Sequence, residues 1–210
     1  MKPFQKNKLM SIIYSDKKFT DGHVKRHEFV RLLKAHFGDE VDIFGRGFRF
    51  VPDKGDAIVD YKYHIVIENS VFPHYWTEKL ADAFLGWSLP IYYGCPNIAD
   101  YFDLDSLVTI DIELPKQSIL KIEKIIEENS WDKRLSHIAE ARRRILDDYN
   151  LFPMIIKLLN LPEKSEAKEN IELKSRAAVV GRVRTMFRKT RAKLQFGLGV
   201  TRIFPFLKRI

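Results

Sequence analysis

The 210-residue chain holds one cysteine, so no intramolecular disulfide framework can hold it together. Stability must come from an apolar core, which the 45% hydrophobic content can supply. A chain with so little cysteine suits a reducing compartment. No apolar run approaches the roughly 20 residues needed to cross a bilayer. The apolar stretch Leu9–Tyr14 is too short for the core of a secretory signal, and the N-terminus is otherwise polar, so the expected starting place is the cytosol. No internal repeat is visible. Gly45-Arg46-Gly47 is too short for a glycine-rich phosphate fingerprint, although its place after a short apolar run leaves it near any ligand held at that strand end. Cys95 has no base beside it and reads as a packing residue. His23 and His27 are spaced i, i+4, but no third metal ligand accompanies them, so an exposed helix face accounts for them.

Acidic residues are missing from the last part of the chain. After Glu172 there are eleven Lys and Arg and no Asp or Glu, whereas residues 1–173 carry 25 basic and 28 acidic side chains. The net charge of +8 therefore belongs to the tail. Such asymmetry points to an anionic partner for that segment. Basic residues at 182, 184, 188, 189, 191 and 193 border a stripe of Val179, Val183, Met186, Phe187 and Leu194, and Phe204, Phe206 and Leu207 follow. Basic charge beside apolar side chains is the pattern of an interfacial membrane anchor. A helix packed on the domain is the plainer alternative. Nucleic acid is disfavoured because the rest of the chain has no basic excess. The expected organisation is a folded domain over residues 1–160, a charged linker over 161–175 and a basic amphipathic tail over 176–210. The tail would place the protein on the inner face of a membrane.

Alternating short apolar runs and amphipathic stretches occupy the first 110 residues. Strands are expected at Lys8–Tyr14, Val41–Phe44, Tyr63–Ile67, Leu89–Tyr93 and Leu107–Ile110. Between them lie helices at Gly22–Phe37, with Val24, Phe29, Leu32, Leu33 and Phe37 inward, and at Thr77–Trp87, with Leu80, Ala83, Phe84 and Trp87 inward. Shorter turns or helices fall at Asp53–Tyr61 and Asn97–Phe102, and further helices at Ser118–Glu128, Ser136–Tyr149 and Leu151–Leu159. This alternation predicts an α/β fold, a Rossmann-like, doubly wound parallel sheet followed by C-terminal helices.

The most informative stretch is 61–94, YKYHIVIENSVFPHYWTEKLADAFLGWSLPIYYG. Strand YHIVI hands over to the polar cluster Glu68-Asn69-Ser70 at its carboxyl end, where ligands bind in open α/β sheets. Within the strand, His64 reads as a hydrogen-bonded core residue. Thr77 stands at an N-cap position and Glu78 in the first helical turn, which is ordinary helix-start grammar with or without a ligand. Lys79 is different, because a cation in the first turn opposes the helix dipole unless it meets an anion that the same N-terminus faces. Arg26 stands with Lys25 and Arg31 in a segment that spacing alone would assign to a solvated helix face.

Ile67-Glu68-Asn69-Ser70, Tyr75-Trp76-Thr77-Glu78-Lys79, Ala83-Phe84, Pro90-Ile91-Tyr92-Tyr93-Gly94, Phe102 and Ser106-Leu107-Val108 resemble, in order and spacing, the donor-sugar motif of the family 10 glycosyltransferases, the α1,3/α1,4-fucosyltransferases. The resemblance runs from about Leu9 to about Tyr149. It implies one half of a GT-B fold and inverting, metal-independent transfer of fucose from GDP-fucose to a GlcNAc or glucose hydroxyl of a glycan acceptor. The donor is a substrate, and no cofactor or metal is implied. Carried over residue by residue, Glu78 would be the catalytic carboxylate that contacts the donor and supports charge at the fucosyl carbon. Lys79 and Arg26 would hold the diphosphate, and Asn69 and Tyr75 would line the nucleotide-sugar pocket. The general base belongs to an acceptor-side domain of order 100–150 residues. With the first donor-domain strand at residue 8, that domain is expected to be absent from this chain. The alternative is a non-catalytic GDP-sugar-binding module working through a partner chain or as a homodimer, and beyond it a generic α/β domain with no ligand.

Overall fold

The computed structural model describes residues 3–14 and 21–159, with the side chains of 21–23 excepted. The charged linker and basic tail expected over 161–210 lie outside the described residues. Five strands run β1 Lys8–Ile13, β2 Val41–Phe44, β3 Tyr61–Ile67, β4 Leu89–Tyr93 and β5 Val108–Thr109. They pair in the order β2-β1-β3-β4-β5, all parallel. Met10 stands beside both Val41 and Tyr63, Tyr63 beside Leu89, and Ile91 beside Val108. Chain order reverses between β1 and β3, so the loops leaving them part to opposite sides and open a crevice at the carboxyl edge.

Both sheet faces are covered, as parallel sheets require. Side chains alternate along β3. Tyr63, Ile65 and Ile67 join Met10, Ile12 and Ile91 beneath α1 (Asp21–Phe37) and α3 (Pro115–Glu127), through Phe29, Leu33 and Ile122. Val66 joins Tyr92 on the other face, beneath α2 (Glu78–Leu85) and α5 (Leu135–Asp147), through Leu80, Phe84, Ala141 and Ile145. His64 also faces that way, buried, with its Nδ1 2.8 Å from Ser11 Oγ. Cys95 is a buried member of the same core, as its setting suggested.

The expected stripe of α1 is shifted. Val24 is exposed and Leu32 only half-buried, while Arg26, Phe29, Val30, Leu33 and Phe37 form the buried face at i, i+3, i+4, i+7 and i+11. Arg26 is therefore not on a solvated face. Helix α2 also ends sooner than its apolar stripe suggested. Gly86 caps it and Trp87, at φ 61°, turns the chain so that its ring is still buried, but from outside the helix. A four-residue helix, α4 (Ser130–Lys133), was not expected, because four residues carry no periodicity. It follows Asn129 at φ 49° and sends the buried Trp131 Nε1–H to the Trp87 carbonyl at 2.8 Å. The last described element is α6 (Leu151–Leu159).

Candidate functional site

At the carboxyl edge of β1 and β3 lies a cavity of about 520 Å³, within the size range of small-molecule sites. Its charged and amide lining comes from five places: Arg26 of α1, Arg46 after β2, Lys54 in a 3-10 turn over Lys54–Ala57, Asn69 after β3, and Glu78, Lys79 and Asp82 of α2. Tyr14 and Gly45 form part of its wall. Gly45 has φ +120°, and a Cβ there would stand 2.1 Å from the Tyr14 carbonyl oxygen. Only glycine lets the exit of β2 pass this close to the end of β1.

Arg26 is 8% exposed. Its Nη1–H donates to Asn69 Oδ1 at 2.8 Å, and its guanidinium carbon sits 5.3 Å from the Tyr14 ring centroid. Nε is buried and, among the described residues, has no hydrogen-bond partner. Burial lowers its proton affinity and the neighbouring Tyr14 opposes this. An arginine remains ionised regardless. A buried guanidinium with an unmade hydrogen bond is costly unless something supplies the acceptor.

The N-terminus of α2 is assembled around Glu68. This carboxylate has a fully buried side chain at the end of β3. Oε1 accepts the Thr77 N–H at 2.8 Å and Oε2 accepts the Thr77 hydroxyl at 2.8 Å. The Lys79 ammonium donates to Glu68 Oε2 at 3.1 Å and to Thr77 Oγ1 at 3.0 Å. Thr77 is the N-cap, its oxygen receiving the Lys79 N–H at 3.4 Å. Space for the Glu68 stem exists because residue 94 is glycine, where a Cβ would lie 2.6 Å from Glu68 Cγ. The connecting loop is pinned by Trp76, which packs edge-on against Phe102 and Tyr149 at 5.2 and 5.3 Å, and by the His74 N–H, which donates to Asn97 Oδ1 at 2.7 Å.

Glu78 is more open, with 62% of its side chain exposed. Partial burial pushes its pKa up, but nearby Lys79 and its position at the helix start outweigh that and leave it below its ordinary value, so it is ionised at neutral pH. Lys54 Nζ lies 3.2 Å from Asp82 and 3.7 Å from Glu78, and ties the far wall of the cavity to α2.

Of the expected site residues, Arg26, Asn69, Glu78 and Lys79 come together in one cavity. Tyr75 does not line it; the ring is half-buried and lies edge-on to Phe72 at 6.3 Å. His27 is half-buried and meets Tyr14 Oη at 2.6 Å through Nδ1, a setting the exposed-face expectation did not anticipate. Sequence reasoning gave no role to Tyr14 or Lys54, and placed Glu68 only in the polar cluster that follows β3. The signal for Glu68 was a carboxylate placed directly after Ile65-Val66-Ile67, the apolar run that ends β3.

Residues 3–130, more than half of the chain, match the family described as Glycosyltransferase family 10 (fucosyltransferase) C-term. The chain belongs to glycosyltransferase family 10. Among family relatives it is similar to the human 4-galactosyl-N-acetylglucosaminide 3-alpha-L-fucosyltransferase FUT5, at 28% identity over 56% of this chain and 33% of that protein. It is also similar to Alpha-(1,3)-fucosyltransferase FucT of Helicobacter pylori, at 35% identity over 29% of this chain and 13% of that protein. In fold it resembles a crystal structure of alpha1,3-fucosyltransferase with GDP-fucose, with a TM-score of 0.51, 24% identity, and coverage of 61% of this chain and 38% of that one. The chain thus spans well under half the length of these proteins. The parallel α/β sheet expected from the alternation of strands and helices is the one observed. Every quoted piece of the family 10 motif falls on an element of the carboxyl edge or on the core beneath it: Ile67–Ser70 ends β3, Thr77–Lys79 opens α2, Pro90–Gly94 is β4 and its exit, and Phe102 packs on Trp76.

Proposed function

We propose that the cavity binds the diphosphate of a nucleotide sugar, that the donor is GDP-fucose, and that this domain supplies the donor half of an inverting fucosyl transfer to a hydroxyl of a glycan acceptor. The observation that carries this reading is the pairing of Arg26 and Lys79. Two fixed cations from different elements line one cavity at the reversal point of the sheet, where the N-terminus of α2 also opens. The unsatisfied Nε–H of Arg26 is a donor waiting for an acceptor, which a phosphate oxygen provides.

In that reaction the bond from the fucosyl carbon to the diphosphate oxygen breaks as the acceptor oxygen attacks from the opposite side. Negative charge grows on the leaving diphosphate, where Arg26 and Lys79 are already placed. Positive charge grows on the sugar ring, which the ionised Glu78 can face from the first turn of α2. Asn69 keeps the guanidinium of Arg26 oriented. The base that takes the acceptor proton lies in the acceptor-side part of the enzyme.

The test is calorimetric titration of GDP, GDP-fucose and GDP-mannose into the full chain. Saturable binding of GDP-fucose that Arg26→Ala and Lys79→Ala each weaken at least tenfold supports the reading. A folded wild-type chain that binds none of the three sinks it, as does unchanged affinity in both variants. Donor binding with no transfer to a glycan acceptor even when an acceptor-domain chain is mixed in would favour the alternative, a non-catalytic GDP-sugar-binding module acting through a partner chain.

The reading extends to a membrane surface. The basic segment 176–210 follows α6, in which Leu151, Phe152, Met154, Ile155, Ile156, Leu158 and Leu159 are all exposed. An exposed apolar helix, with an excess of positive charge later in the sequence, suits the inner, anionic face of a membrane. Sedimentation with phosphatidylserine-containing vesicles, but not with phosphatidylcholine vesicles, is the expected result. Equal sedimentation with neither removes this part of the proposal.

A further inference from the structure

The geometry points to Glu68 as a positioning residue for the donor site, one that sets Lys79 in place before any diphosphate arrives. The inference rests on the donor reading above and adds a role that the reading does not need. An ammonium has three N–H donors. One N–H of Lys79 goes to Glu68 Oε2 and a second to Thr77 Oγ1. The side chain is still 29% exposed and lines the cavity, so the remaining N–H is the one available to a ligand oxygen.

Glu68 fixes one of the other two directly and the second through Thr77, whose hydroxyl it holds. The side chain of Glu68 is fully buried, its backbone N–H is in the sheet through the Tyr93 carbonyl at 2.9 Å, and its stem fits only against Gly94. A lysine otherwise surrenders rotamer freedom when it binds an anion, and here that loss is taken on folding. The same carboxylate holds the Thr77 N–H, so it aligns the first turn of α2 with the ammonium as one unit.

A second account of Glu68 predicts the opposite sign. If it were merely a negative charge near an anion site, removing that charge would strengthen diphosphate binding, because it leaves Lys79 less neutralised. If it positions Lys79, removing it weakens binding. In Glu68→Gln the amide oxygen can still accept the Thr77 N–H, but the NH2 group turns towards the Lys79 ammonium and the anchor is lost.

The experiment titrates GDP into the full chain as wild type, Glu68→Gln, Lys79→Ala and the double variant, with a thermal unfolding curve for each. The expected result is a loss of about tenfold in GDP affinity for Glu68→Gln, the scale of freeing one long side chain, and no further loss when Glu68→Gln is added to Lys79→Ala. Equal or tighter GDP binding by folded Glu68→Gln overturns the inference. So does the same loss on both backgrounds, which would mean a general structural role. Should Glu68→Gln fail to fold, Thr77→Val replaces it: it removes the hydroxyl that links Glu68 to the second Lys79 N–H and caps α2, and leaves the Thr77 N–H that Glu68 holds. The same coupling to Lys79 is then expected, and its absence overturns the inference. Absence of GDP binding in the wild type would sink the donor reading itself. Wild-type binding that Lys79→Ala weakens and Glu68→Gln does not would sink this inference alone.

Discussion

Gly94→Ala should damage the site from beneath. Gly94 is not at a positive φ, so the substitution meets no backbone strain, and the loss of unfolded-chain entropy would by itself stabilise the fold by about 0.4–1 kcal/mol. Packing decides the outcome. The added Cβ would lie 2.5 Å from Tyr92 Oη and 2.6 Å from Glu68 Cγ. Ordinary contact begins at 3.4 Å, so the Glu68 stem must retreat by about 0.8 Å. Neither neighbour can give cheaply. Tyr92 is 1% exposed and its oxygen accepts the Cys95 N–H at 2.9 Å, and Glu68 is held by Thr77 and Lys79. Overpacking of this kind costs about 1–3 kcal/mol, which leaves a net destabilisation of up to about 2.6 kcal/mol after the entropic gain. For a domain of this size, that lowers the melting temperature by up to roughly 10 °C. Because the displaced group is Glu68, GDP affinity should fall as well, by about the same factor as in Glu68→Gln. Circular dichroism melting and GDP titration of the same preparation read both effects. A variant that melts with the wild type or above it, and binds GDP equally well, would refute the reasoning that Gly94 is there to make room for Glu68.

Two further predictions concern stability. Burial, with the charge of Lys6 adding to it, pushes the pKa of His64 down to about 3. The folded state therefore takes up no proton there between about pH 6.5 and 3, while the unfolded chain does. The contribution of His64 is fully present above pH 6.5 and is lost as pH falls below it, by up to about 1.4 kcal/mol per pH unit. Urea unfolding at pH 7.5 and 5.5 should show this loss, and His64→Asn should show less of it; an equal slope in the variant would count against a neutral buried His64. Lys6 donates to the carbonyls of Val59 at 2.7 Å and Gly86 at 2.5 Å, tying the entry of β1 to the start of β3 and the exit of α2. Lys6→Met leaves both carbonyls without that donor and should cost about 2 kcal/mol or more in urea unfolding, with little change in GDP affinity.

Periodicity made the architecture legible. Short apolar runs and 3.6-residue stripes are local properties, so β2, β4 and α6 were expected within their observed bounds, and the parallel arrangement followed from strand-helix alternation. Strand order was not legible, because it depends on which edges meet, and no local pattern records that. The motif Glu-Asn-Ser to Thr-Glu-Lys was equally plain in the chain, yet its letters did not say which carboxylate would be buried and which would face the cavity. The fold put Glu68 inside and Glu78 outside.

Arg26 shows the division most clearly. Its spacing from Phe29, Val30, Leu33 and Phe37 places it on the inward stripe of α1, but an arginine on such a stripe reads as an exception until something is seen to receive it. Only the tertiary structure supplies Asn69, 43 residues away, and the Tyr14 ring as its setting. Local sequence determined the helices, the strands and the helix-start chemistry at Thr77, because these depend on backbone hydrogen bonds and side chains a few residues apart. The long-range contacts among Arg26, Asn69, Glu68, Lys79 and Gly94 were decided only when the sheet brought the ends of β1, β3 and β4 side by side.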